Sequence, residues 1–382
     1  MGRLKVLIIL VLIFSCTTSE KKPDWISGSS SNYPSSRYLL GVGRAQETSN
    51  PAYDQTLADE RARAELARQI KSRIKSELSA RAEEELNRLG ADELRRFSQH
   101  ISSAIFSSAD VELLGVEIKE RYYDAKEGVY YTLAVLDRER TCELLSEKIS
   151  SNLAEIKGLL ELEQNQEKEN PLLALSYLIK ARKKLEQTIG LNAQRFAVCA
   201  KKTELGYSIA ELIIKEYHLR KDIRIMVLAF EENPYLPKSR VLENHFLSLL
   251  SGYGFSVKSA PSRLRIIPPE KIQDLITTKK LELAEPAGYF LLGSFKLVDL
   301  GKTKIGSYDY HFFMIGGGVT LFDLATGEVL LSIYEPQVSS SKAGKTDPAQ
   351  AVLKALDLAG EFFRQQLVLE LAEKYQLMRL GQ

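Results

Sequence analysis

From Tyr53 to Ala80 the apolar side chains fall on Ala58, Ala62, Leu66, Ile70, Ile74 and Leu78, one every fourth residue, with charged residues crowded between them. A four-residue step keeps side chains on one face of an α-helix, so this spacing predicts one long amphipathic helix with a single buried stripe. Upstream, Tyr38-Leu-Leu-Gly-Val-Gly43 reads as a short buried strand. Gly90 ends the helical run, and Asp92 is expected to cap a second helix with the stripe Leu94, Phe97, Ile101 and Ile105. Val111 to Tyr123 and Val129 to Asp137 read as two strands joined by the turn Asp124-Ala-Lys-Glu-Gly128. The expected unit is β-α-α-β-β.

From Asp137 to Leu219 the pattern is helical throughout. Leu145, Ile149, Leu153, Ile156 and Leu160 step by three or four, as a packed helix requires. Asn170-Pro171 supplies a cap and a proline at a first helical position, and Leu172, Leu175, Ile179 and Leu185 run to an expected stop at Gly190. A third helix is expected from Asn192 to Leu219. Three stacked repeats, the minimum for a solenoid, are absent, so this stretch reads as a helical connector.

Past Arg220 strands and helices alternate. Ile223–Phe230 reads as a buried strand, Val241–Leu250 as a helix, Phe255–Val257 as a second strand and Pro268–Lys279 as a helix. Tyr289–Val298, Tyr310–Asp323 and Glu328–Tyr334 read as a meander turning at Ala325-Thr-Gly327, and a final amphipathic helix runs from Asp347 to Leu377.

The N-terminal residues follow another logic. Arg3 and Lys5 precede the apolar run Val6–Phe14, which is too short to span about 30 Å of hydrocarbon as a helix and reads as the core of a signal peptide. Ile13-Phe14-Ser15-Cys16 resembles the lipobox of bacterial lipoproteins: an aliphatic residue, a small residue, then the cysteine that would become the acylated N-terminus. Thr17, in place of aspartate, implies sorting to the outer membrane. Thr17–Lys22 and the Ser-rich Ser27–Ser36 read as a polar tether interrupted by Pro23-Asp24-Trp25, the last being the sole tryptophan.

Charge adds one exclusion. Lys and Arg total 52 against 50 acidic residues, and without Arg3 and Lys5 the two signs cancel, which excludes nucleic-acid binding by bulk charge. The basic residues Arg61, Arg63, Arg68, Lys71, Arg73 and Lys75 alternate with Glu60, Glu65 and Glu77 and read as a solvated helix face.

Candidate chemistry is sparse. The four histidines, His100, His218, His245 and His311, lie in no catalytic or metal-binding motif, and no phosphate loop, Gly-x-Ser-x-Gly or Cys-x-x-Cys is present. Gly41-x-Gly43 lacks the third glycine of a dinucleotide fingerprint, having Gln46 there. Gly316-Gly-Gly318 reads as a bulge or bend rather than an anion cradle. Cys142 and Cys199 lie in apolar helical contexts that favour two buried free thiols; a disulfide between them is the alternative. No catalytic residue, cofactor or metal is expected.

Residues 23–145 resemble the twenty-kilodalton outer-membrane lipoprotein family and the related N-terminal domain of flagellar basal-body ring proteins. The resemblance is carried by Pro23-Asp24-Trp25, Gly41-Val-Gly-Arg-Ala45, the Ala-rich helix Ala58–Ala67 and the strand Tyr130–Asp137. Residues 221 to about 372 resemble the α/β domain shared by the Tol propeller protein, the curli-secretion lipoprotein, the lipoprotein activators of penicillin-binding proteins and the middle domain of flagellar ring proteins. Here the carriers are Met226–Phe230, Gly252–Val257, Tyr289–Ser294 and Leu321–Val329, with Ala229 and Ala287-Gly288 departing from the usual pattern.

The expected fold class is therefore α+β or α/β, two small α/β domains joined by a helical connector after a cleaved lipoprotein signal peptide. The divisions are 1–15 signal peptide, 16–36 acylated Cys16 and tether, 23–145 first domain, 146–220 connector, and 221–382 second domain with its C-terminal helix. The resemblances imply a non-enzymatic, periplasm-facing outer-membrane lipoprotein that scaffolds an envelope machine, flagellar or surface-appendage assembly first. The alternatives are a contact activator of a cell-wall synthase and a curli-like export component, for which 308–322 is the one candidate barrel strand. Implied partners are an envelope protein complex, and outer-membrane lipid through Cys16; nucleic acid is not expected, and a homo-oligomer stays open.

Overall fold

A computed structural model describes residues 22–108 and 113–377, so the signal-peptide and Cys16 readings lie outside the described residues. The fold is α+β, as expected, and divides into two compact units. The first takes residues up to Ile74, Glu112–Leu145 and Gln194–Lys201; the second takes Lys75–Val111, Ser146–Ala193 and everything from Lys202.

The first unit is built on an antiparallel sheet ordered β1-β3-β2, from β1 (Tyr38–Gln46), β2 (Val116–Asp124) and β3 (Val129–Asp137). The leading part of helix α1 (Pro51–Asn87) covers one face, and its stripe Ala58, Ala62, Leu66 and Ile70 is buried as the spacing predicts. Glycine on the strand and alanine on the helix let the two backbones approach closely. A methyl group added at Gly43 would lie 2.0 Å from the Ala58 carbonyl oxygen and 2.3 Å from the Ala62 nitrogen. Gly41-x-Gly43 is thus a packing device. The opposite face is covered by Trp25, buried on Tyr131, Leu133 and Val135 from a short 3-10 helix at Asp24–Ser27. Its indole Nε1–H donates to Glu120 Oε2 at 2.7 Å, and Asp24 accepts from the Ser31 amide and hydroxyl. From Lys22 on, the stretch read as tether is laid on the sheet.

Helix α2 (Ala91–Ser107) is capped two residues earlier than expected: Gly90 takes the place of Asp92, its N–H donating to the Glu93 carboxylate. Phe97, Ile101 and Ile105 are buried, whereas Leu94 is exposed. The connector holds α3 (Arg138–Gln166), α4 (Pro171–Cys199) and α5 (Ile209–Asp222). Gly190 does not stop α4. An interior glycine costs only about 1 kcal/mol of helix propensity, which burial among neighbours offsets. The helix ends instead at Cys199, with Ala200 just beyond it in the left-handed region at φ 54°. Cys142 of α3 and Cys199 of α4 form a disulfide with Cα atoms 6.1 Å apart, which corrects the free-thiol reading. Helical context reports burial; it carries no information on a partner 57 residues away.

The second unit has a sheet ordered β5-β4-β6-β7-β8, from β4 (Arg224–Glu232), β5 (Ser256–Ser259), β6 (Tyr289–Ile305), β7 (Tyr308–Asp323) and β8 (Val329–Glu335). β4 runs parallel to β5 and β6, the remaining pairs are antiparallel, and β9 (Ala343–Lys345), absent from the sequence reading, pairs with β7. Helices α6 (Val241–Gly252) and α8 (Pro348–Tyr375) pack one face, where Phe246 and Phe363 meet Phe295. Helix α7 (Pro269–Thr277) covers the other, with Ile272 and Ile276 against Met226, Leu228, Phe290 and Phe322.

Candidate functional site

β6 and β7 outrun their neighbours. β4 pairs with β6 only as far as Lys296, and β9 covers β7 only from His311 to Phe313. Towards the turn at Gly306-Ser307 no third strand pairs with either of them among the described residues, so both outer edges of the hairpin are open. Sequence reading stops β6 at Val298 and finds no second matched strand for 308–322. The structure carries β6 to Ile305 through a bulge between Asp299 and Lys302, supplying that partner. Cross-strand hydrogen bonding to β7 overrides the weak local propensity.

The register makes this arm amphipathic. Lys302 stands opposite His311, Thr303 opposite Tyr310, Lys304 opposite Asp309 and Ile305 opposite Tyr308. Since side chains alternate along a strand, Thr303, Ile305, Tyr308, Tyr310 and Phe312 share one face, and Lys302, Lys304, Asp309 and His311 the other. Ile305 is 52% and Tyr308 64% exposed, large apolar surface with nothing packed on it among the described residues.

At the root of the arm, beside the carboxyl end of β4, is a shallow groove of about 540 Å³ lined by Glu232, Asn233, Tyr235, Leu297, Asp299 and Phe313. The Tyr235 and Phe313 rings lie 5.2 Å apart, and the Asn233 carboxamide closes its loop by donating to the carbonyls of Glu231 and Leu236 and accepting from the Leu236 amide. A second groove, about 240 Å³, opens at the amino ends of β4 and β5 and is bridged by the ion pair Lys258–Glu285. In open α/β sheets small ligands settle at the carboxyl ends of the strands, so only the first groove has a ligand-like position.

The histidines are scattered. His100 and His218 are exposed on α2 and α5, and His311 lies on β7 with its ring 6.5 Å from Phe313. His245 reaches Asp357 at 3.2 Å and Glu361 at 3.6 Å, joining α6 to α8. Among the described residues no group of three or more His, Cys, Asp or Glu side chains could hold a metal ion. A methyl at Gly316 would lie 1.9 Å from the Pro336 carbonyl oxygen, so that glycine run serves close chain approach. In the basic stretch, Arg61 donates to the Arg44 carbonyl, Arg68 to Glu65 and Arg73 to the Ala197 carbonyl.

Buried charges escaped the sequence reading, Glu243 among them. Glu243, on α6, accepts from the Ala229 amide at 3.2 Å, Ser259 Oγ at 2.6 Å and Arg265 at 2.6 Å. Burial works to raise its pKa, but the bonds from Arg265, Ser259 and Ala229 together outweigh burial and hold it below the usual carboxylate range. Inside an otherwise apolar helix, its tertiary partners left no local signal.

Residues 23–137 match the model of the LPP20 lipoprotein family, covering the β-α-α-β-β segment whose motifs resemble the twenty-kilodalton lipoproteins. No curated protein matches the chain. Among solved structures, the secreted protein HP1454 from the human pathogen Helicobacter pylori is similar at 14% identity and a TM-score of 0.39, covering 87% of this chain and 98% of that one. A PelC dodecamer from Paraburkholderia phytofirmans is similar at 15% identity and a TM-score of 0.22, over 40% of this chain and 90% of that one. Among the described residues no helix is long and apolar enough to cross a membrane.

Proposed function

We propose that this chain is a non-enzymatic lipoprotein of the outer membrane, held by acyl chains on Cys16 and facing the periplasm, that scaffolds an envelope machine through the β6–β7 arm. The carrying observation is the match of residues 23–137 to a lipoprotein family, directly downstream of the lipobox-like Ile13-Phe14-Ser15-Cys16. The Cys142–Cys199 disulfide suits an oxidising compartment. The arm supplies what a docking element needs: open strand edges for an added strand, an apolar face for contact, and a charged face that stays in water. Flagellar or surface-appendage assembly is the machine favoured by the order of the two resemblances; contact activation of a cell-wall synthase is the alternative.

Two measurements test this. Cys16→Ala should abolish radiolabelled palmitate incorporation and membrane retention; equal labelling of wild type and variant would refute the anchor. The pair Ile305→Ser and Tyr308→Ser should reduce appendage number in electron micrographs while the melting curve is unchanged. Normal appendages with weakened cell-wall synthesis would move the reading to the synthase activator. Because the arm alternates apolar and polar residues along both strands, the export reading keeps one observation in its favour, and dye release from vesicles by the acylated protein would establish it.

A further inference from the structure

The described chain begins at Lys22, and Lys22 is fixed to one particular end of the first unit's sheet. Its ammonium pairs with Asp124 at 3.0 Å and Glu127 at 3.1 Å, and stands 5.0 Å over the Tyr131 ring, beside the β2–β3 turn. At the same end, Tyr123 is 38% exposed, its ring tilted against that of Tyr130 with centroids 4.6 Å apart, and its hydroxyl donates to Glu47 at 2.7 Å. Tyr53, in the first turn of α1 close behind Glu47, is 59% exposed. The opposite end of the sheet, where Tyr38 pairs with Asp137 and α3 begins, is eight strand steps away, about 27 Å.

Six residue steps separate Cys16 from Lys22, and fully extended they reach at most about 22 Å. We infer that the Tyr53–Tyr123–Tyr130 end of the first unit rests on the lipid headgroups of the membrane that holds the Cys16 acyl chains. The inference depends on the lipoprotein reading above. Three observations point to lipid as the occupant. The tether leaves from this end and is too short to hold it far from the bilayer surface. Tyrosine is the side chain suited to a boundary that is apolar below and wet above, and several are gathered here. The surrounding charges, Lys22 and Lys126 among Glu47, Asp124 and Glu127, are of both signs and suit zwitterionic headgroups.

The test places acylated full-length protein in phosphatidylethanolamine–phosphatidylglycerol vesicles carrying a nitroxide on the headgroup, and reads tryptophan emission with wild-type Trp25 as background. Tyr53→Trp and Tyr123→Trp should each add emission that the nitroxide quenches several-fold more than the emission added by Tyr38→Trp, at the far end of the strand. Circular dichroism checks each variant's fold, and if Tyr123→Trp fails to fold, Tyr53→Trp, on an exposed helical turn, decides alone. Equal quenching at all positions, or strongest quenching at position 38, with palmitate incorporated and protein on the vesicles, overturns this inference alone. Absence of palmitate together with loss of vesicle binding overturns the lipoprotein reading and this inference with it.

Discussion

Glu243 is 1% exposed and carries a charge into the interior of the second unit, where it joins α6 to β4, to β5 and to the turn bearing Arg265. A buried carboxylate is tolerated only with its lone pairs occupied, and here three donors occupy them. Glu243→Gln keeps the shape, removes the charge and takes from Arg265 its ionic partner among the described residues. Because the Arg265 side chain is 20% exposed and can turn to water, the expected cost is about 2 kcal/mol, below the range for a fully buried broken pair. The pH dependence has a definite sign. The folded pKa lies below the unfolded value of about 4.3, so the stabilisation is fully present above that value and is lost as pH falls through the lower, folded one. Urea melts of wild type and Glu243→Gln should therefore differ at neutral pH and converge in acid; a constant gap would show that the charge is not the source.

At the scale of elements, the contact of β1 with α1 is decided by two glycines against two alanines. Gly43→Ala would press a methyl group onto the α1 backbone, where no side-chain rotation relieves it, and should cost about 3 kcal/mol or more. Gly158 in α3 is the contrast. Nothing lies within 4 Å of the position an added methyl would take, so Gly158→Ala should raise stability by about 0.5–1 kcal/mol through helix propensity alone. Thermal melts of the two variants should move in opposite directions. A Gly43→Ala melt matching wild type would mean that the strand and helix can separate without loss.

For the whole molecule, the Cys142–Cys199 bond constrains the chain over the longest loop. It closes 57 residues of sequence, including most of α3 and α4, and on chain-entropy grounds a loop of that length stabilises by about 4 kcal/mol. Reductant should lower the wild-type melting temperature by several degrees and leave Cys142→Ala/Cys199→Ala unmoved. Identical wild-type melts with and without reductant would mean that the bond closes no loop that matters to stability.

Local sequence was enough for the order of the elements other than β9, the α1 stripe, the break that Pro23-Asp24-Trp25 makes in the polar tether, the motifs within the segment that the lipoprotein family model matches, and the absence of any recognised catalytic motif. All of these rest on local periodicity or on residues adjacent in the chain. Tertiary structure alone decided the disulfide, the extension of β6 past Asp299, the continuation of α4 through Gly190, and the partners of Glu243. For three of these the deciding partner lies outside the segment whose local pattern was read: Cys199 for Cys142, β7 for the outer part of β6, and Ser259 and Arg265 for Glu243. A short-range pattern records what a residue prefers, whereas a long-range contact sets what the fold makes it accept. The candidate docking arm was half visible for the same reason. β7 announces itself by its run of aromatics, but the polar half of β6 is a strand only because β7 lies beside it.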